Sequence, residues 1–116
     1  MRVMVTILSF VLLGGCASMN EKRAAGPAFT ANSSKPVDKV AECVLFAWQN
    51  QSLMGAHYAA ALQPLAGGGN TVISAGEVEF ADFDAANGKT QVRLYFQTGL
   101  MDWRKKRRIE AVESCL

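Results

Sequence analysis

Thr90 to Gln97 reads TQVRLYFQ, and its strict alternation decides the fold. Val92, Leu94 and Phe96 point one way while Gln91, Arg93, Tyr95 and Gln97 point the other, which predicts a strand with one buried and one wet face. Asn87-Gly88 just before it tolerates positive φ at both positions and predicts a reverse turn. Further upstream, Glu77 to Asp84 (EVEFADFD) alternates at first, with Val78 and Phe80 inward and Glu77, Glu79 and Ala81 outward. Phe83 then falls out of phase. Either the strand ends near Ala81, or a bulge turns both phenylalanines inward. Thr71 to Ser74 is a short β-branched strand behind the loop Gly67-Gly68-Gly69-Asn70, and Tyr58 to Leu65 reads as an edge strand because Pro64 cannot donate to a central ladder.

Helices flank this meander. Pro36 opens the first, with Ser33 and Ser34 offering capping oxygens and Asp38 complementing the positive end of the dipole. Val37, Val40, Ala41, Val44, Ala47 and Trp48 recur at helical spacing to about Gln51, and Cys43 and Phe46 widen the stripe. Thr98 to Leu116 forms the last helix, capped by Thr98 or Asp102, with Met101, Ile109, Val112 and Leu116 as a broken apolar stripe. The expected fold is α+β in two layers: an N-terminal and a C-terminal helix packed on a short, mainly antiparallel sheet of three to four strands.

Ala17 to Lys35 is rich in Ala, Ser, Asn and Gly, carries one aromatic side chain at Phe29, and shows no periodic face. It reads as a flexible tether with a root-mean-square reach of about 25 Å. The chain begins MRVMVTILSFVLLGGC: a basic residue at Arg2, an apolar run from Val3 to Leu13 too short for an ordinary membrane span, then small residues and a cysteine. Leu13-Gly14-Gly15-Cys16 resembles the bacterial lipobox. That resemblance implies cleavage before Cys16, acylation of its sulfur and new amino group, and, since Ala17 stands where an Asp commonly retains such proteins at the inner membrane, an outer-membrane lipoprotein facing the periplasm. It divides the chain into a signal peptide at 1–15, a lipidated N-terminus and tether at 16–35, and a periplasmic domain at 36–116. The domain is also similar, in general layout alone, to small proteobacterial lipoproteins built from a helix, a short sheet and a terminal helix.

Cleavage leaves 101 of the 116 residues, enough for one small domain, with 11 basic against 10 acidic residues and so no global steering towards nucleic acid. Once Cys16 is lipidated, Cys43 and Cys115 form an even pair in an oxidising compartment, and a disulfide between them would staple the two helices over one sheet face.

One stretch has the look of a binding site: Arg104-Lys105-Lys106-Arg107-Arg108 beside Trp103. A tryptophan with five cations suits an anionic lipid, glycan or protein surface, although Asp102, Glu110 and Glu113 stand at helical pairing distance from it. Five consecutive residues at 100° per step encircle a helix, so this run cannot be confined to one solvated face. Replacing all five with Gln is expected to weaken anionic binding and to spare the fold. His57 lacks a nucleophile to activate. The acidic residues Glu77, Glu79, Asp82 and Asp84 lack the loop of a calcium motif, and the triple glycine lacks the Lys-Ser/Thr ending of a phosphate loop. The reading is a non-enzymatic binding module with no catalytic or metal residues and no cofactor; the alternative is an inhibitor or immunity-type lipoprotein directed at a cell-wall hydrolase.

Overall fold

A computed structural model describes residues 14–116, residues 14–17 as backbone alone. The expected signal segment from Met1 to Leu13 lies outside the described residues. Along the chain run α1 (Gly14–Ala25), β1 (Phe29–Ser33), α2 (Val37–Asn50), β2 (Ala60–Pro64), β3 (Asn70–Ser74), β4 (Glu79–Ala86), β5 (Lys89–Phe96) and α3 (Asp102–Glu113). The strands form one antiparallel sheet in the order β1-β5-β4-β3-β2. The α+β class holds, but with five strands where three to four were expected.

The fifth strand comes from the expected tether. Residues 29–33 pair with β5, Phe29 opposite Leu94 and Ser33 opposite Thr90. Phe29 and Ala31 pack against the core, and the Ser33 hydroxyl donates to the Leu116 carbonyl at 3.0 Å. An edge strand needs only those inward residues, so its small polar neighbours concealed it. The ordered fold therefore starts well before Pro36. Ser33 is also no helix cap: Pro36 occupies the N-cap position of α2 without a side-chain cap bond.

The α2 and α3 helices cover one face of the sheet. Val40, Ala41, Val44 and Trp48 from α2 meet Val72, Ala81, Phe83, Val92, Leu94 and Phe96 from the sheet and Val112 from α3. Period 2 explains the membership: Val92, Leu94 and Phe96 point inward as their alternation demands, and the register sets Phe83 opposite Val92, Ala81 opposite Leu94 and Glu79 opposite Phe96. No bulge is needed, and the expected faces of β4 are reversed. Ala81 and Phe83 lie on the helix side with Glu79, whereas Phe80 points to the other side.

Cys43 and Cys115 are joined in a disulfide, Cα to Cα 5.7 Å, pinning α2 to the end of α3. It closes a loop of 72 residues, worth about 4 kcal/mol in the chain-entropy view.

The second sheet face is not simply wet. Phe80 and Tyr95 stack there with ring centroids 4.7 Å apart, and Met19 of α1 is buried on them beside Ile73. Arg23, one turn on, places both Nε and Nη2 on the Asp82 carboxylate at 2.8 and 2.9 Å, and its guanidinium lies 5.0 Å from the Phe80 ring centroid. Burial raises the pKa of Tyr95 above the usual 10, and the Asp82 charge pushes the same way.

Candidate functional site: the basic turn of the last helix

Met101 takes the N-cap position of α3 with no side-chain cap bond; its carbonyl accepts from the backbone N–H groups of Arg104 and Lys105. Neither expected cap serves: Asp102 is the first helical residue, and the Thr98 hydroxyl accepts from Lys22 Nζ of α1 at 3.1 Å. From this start the basic run winds a little more than once around the helix, and the fold treats its members differently.

Arg104 and Arg108, one turn apart, point at the sheet and clamp Glu79. Arg104 donates through Nε and Nη2 to the two carboxylate oxygens at 3.1 and 2.9 Å, and Arg108 Nε donates to Oε1 at 2.7 Å. Both Glu79 and Arg108 are fully buried. Arg108 Nη1 also donates to the Trp48 carbonyl at 3.0 Å and to Gln51 Oε1 at 3.3 Å. Its guanidinium lies 5.1 Å from the Trp48 ring centroid, as that of Arg104 lies 4.5 Å from the Tyr58 ring. Burial lowers the Arg108 pKa from its ordinary value, and the Glu79 charge opposes the fall. These two arginines are structural. Their removal would leave a buried carboxylate without a counter-ion, so the expectation that all five cations can be replaced without loss of fold is withdrawn.

Of the other three, Lys106 and Arg107 point away and Lys105 lies between. Lys105 is half-buried, with Nζ 6.0 Å from the Phe96 ring and 4.0 Å from Asp102. Lys106, its side chain 78% exposed, comes within 4.0 Å of Glu110. Arg107 is exposed and ties α3 to the segment after α2: its Nη2 donates to the Ser52 carbonyl at 3.2 Å, and its own carbonyl accepts from Gln51 Nε2 at 2.7 Å. Trp103, one turn before Arg107, is 39% exposed, and its Nε1 donates to Met101 Sδ at 3.2 Å. Lys106, Arg107 and Trp103 thus stay together at the surface, while Arg104 and Arg108 leave it.

The remaining candidates disperse. Cys16 lies in the first turn of α1, and His57 is exposed on the segment between α2 and β2. Glu79 and Asp82 face opposite sides of the sheet, and among the described residues no group of three His, Cys, Asp or Glu residues could hold a metal. The triple glycine serves a close approach: Gly69 has φ +100°, and a Cβ there would collide with the Phe83 carbonyl. A cavity of about 430 Å³ opens on the outer face beside this loop, lined by Asp82, Asp84, Arg23, Arg93 and Tyr95. Its charges are matched internally, Arg23 with Asp82 and Arg93 with Asp84 at 3.1 Å. The Glu79 clamp was missed because a glutamate between Val78 and Phe80 scores as solvent-facing; the signal for it was the in-phase series Glu79, Ala81, Phe83.

No protein-family model, curated protein or solved structure matches this chain.

Proposed function

We propose that this is an outer-membrane lipoprotein, acylated at Cys16, whose periplasmic domain works by binding an anionic partner and performs no catalysis. The supporting observation is the sorting of the basic run: after the fold has consumed Arg104 and Arg108, two exposed cations, Lys106 and Arg107, still stand beside a partly exposed Trp103. A cation pair next to an amphipathic ring matches an anionic surface better than it matches the packing needs of a helix already held by its other side. Among the described residues no helix is long and apolar enough to cross a membrane, so attachment would fall to the lipid on Cys16.

Under this proposal the anchor has a short lead. Met19 is already packed on the sheet three residues after Cys16, so the acylated end would sit close to the fold, with no long tether between them. Intact-mass spectrometry of the protein extracted from membranes tests the anchor: a chain starting at Cys16 with three acyl groups is expected, and an unmodified Cys16 would defeat the proposal. The inhibitor reading turns the domain against a cell-wall hydrolase instead. Crosslinking in whole cells followed by detergent extraction separates the two, since that reading requires a hydrolase bound in stoichiometric amount.

A further inference from the structure

The segment after α2 holds a feature that the binding reading leaves unused. Leu53 and Ala56 close a two-residue turn with paired backbone bonds, Leu53 N–H to the Ala56 carbonyl at 2.8 Å and the reverse at 3.2 Å. The central residues have φ +51° at Met54 and +82° at Gly55. Such turns place Asn or Gly at the first central position, because a side chain with a Cβ and no local hydrogen bond is strained there. Here that position holds methionine, and Met54 is 83% exposed while Leu53 beside it is buried. A strained, outward apolar residue on an anchored turn brings nothing to the core, and strain retained at an exposed position points to a function.

The turn stands next to the basic site. Arg107 bonds the Ser52 carbonyl, two residues before Met54, and one helical turn back from Arg107 lies Trp103 in contact with Met101, itself 65% exposed. Two exposed methionines and a partly exposed tryptophan thus flank Lys106 and Arg107, Met54 two residues beyond the Arg107 contact and Met101 against Trp103. Polarizable, flexible thioethers suit an irregular apolar medium, indole suits the boundary between acyl chain and head group, and the two cations suit phosphate.

We infer that Met54, Met101 and Trp103 insert into the head-group region of an anionic leaflet while Lys106 and Arg107 pair with its phosphates, giving the domain a second membrane contact besides the acyl anchor. This deepens the binding reading by naming its partner as phospholipid. It does not depend on the state of Cys16.

Tryptophan quenching by vesicles tests it, using the full mature protein with phosphatidylcholine and phosphatidylglycerol at about 3:1 and brominated acyl chains. Trp48 is buried in the core and serves as the silent reference. Quenching is expected in the wild type and absent in Trp103→Phe. It should fall by more than half in Met54→Asp and likewise in Lys106→Gln/Arg107→Gln. Met54→Asn is the sharper control: by placing a favoured residue at that φ it should raise the melting temperature while lowering quenching, a combination that a purely structural methionine would not give. Equal quenching in wild type and Trp103→Phe, or quenching indifferent to both the Met54 and the cation variants, overturns the inference, as does a photocrosslinker at position 54 that captures protein in place of lipid. Intact mass of the same sample keeps the two claims apart. Trp103 unquenched with Cys16 acylated removes this contact alone, and Trp103 quenched with Cys16 bare removes the anchor alone.

Discussion

Each face of the sheet buries a β4 carboxylate under arginine from a helix, yet the two arrangements differ in depth. On one side Glu79 is gripped by Arg104 and Arg108 inside the core that α2, α3 and the disulfide enclose. On the other, Asp82 is held by Arg23, which is 26% exposed, and among its described side chains α1 adds one buried apolar group, Met19. The same chemical pair is part of the foundation in one setting and a fastening in the other, because the apolar surface excluded from water around it differs. From this we expect α3 to be inseparable from the fold and α1 to be a unit that loosens first.

The largest effect should follow from Glu79→Gln, which leaves Arg108 buried without its counter-charge. A loss of about 3–5 kcal/mol in urea unfolding is expected, and a loss below about 1 kcal/mol would place Arg108 in contact with water. Opening the disulfide by Cys43→Ser/Cys115→Ser should cost about 2–4 kcal/mol, with the melting temperature of the double variant as the measure. Arg23→Ala is expected to cost about 1 kcal/mol or less globally, since a partly exposed pair is screened by solvent. Its signature should be faster hydrogen exchange confined to α1. Exchange that rises equally in α2 would merge the two faces into one cooperative unit.

The smallest effect concerns pH. Tyr95 has its pKa raised above 10 in the fold, by burial first and by the Asp82 charge second, so the folded state holds the phenolic proton more tightly than the unfolded chain does. The stability this contributes is intact below pH 10 and is lost as the pH climbs through the raised value. Tyr95→Phe should flatten that alkaline limb, whereas an unchanged limb would assign it to another group.

Apart from β4, whose faces are the reverse of those expected, the helix face could be read from the sequence because its signals were redundant. Val92, Leu94 and Phe96 alternate cleanly, Val40, Val44 and Trp48 keep helical spacing, and Cys43 had one natural partner. The outer face and the edge strand could not, for physical reasons. Phe29 and Ala31 are too few to announce a strand whose partner, β5, supplies most of its pairing, and α1 owes its place to Met19 and Arg23, residues whose meaning depends on Phe80 and Asp82 far along the chain. The basic run was legible as a set that must encircle its helix. Which members turned inward depended on a glutamate that looked solvated until its phase with Ala81 and Phe83 was known.

One urea series reads out that division of the basic run by comparing Arg104→Gln/Arg108→Gln with Lys106→Gln/Arg107→Gln. The first should lower stability by several kcal/mol, because Glu79 loses both partners, while the second should stay within about 0.5 kcal/mol of the wild type. Equal losses, or a larger loss for the outward pair, would mean that Glu79 does not depend on Arg104 and Arg108.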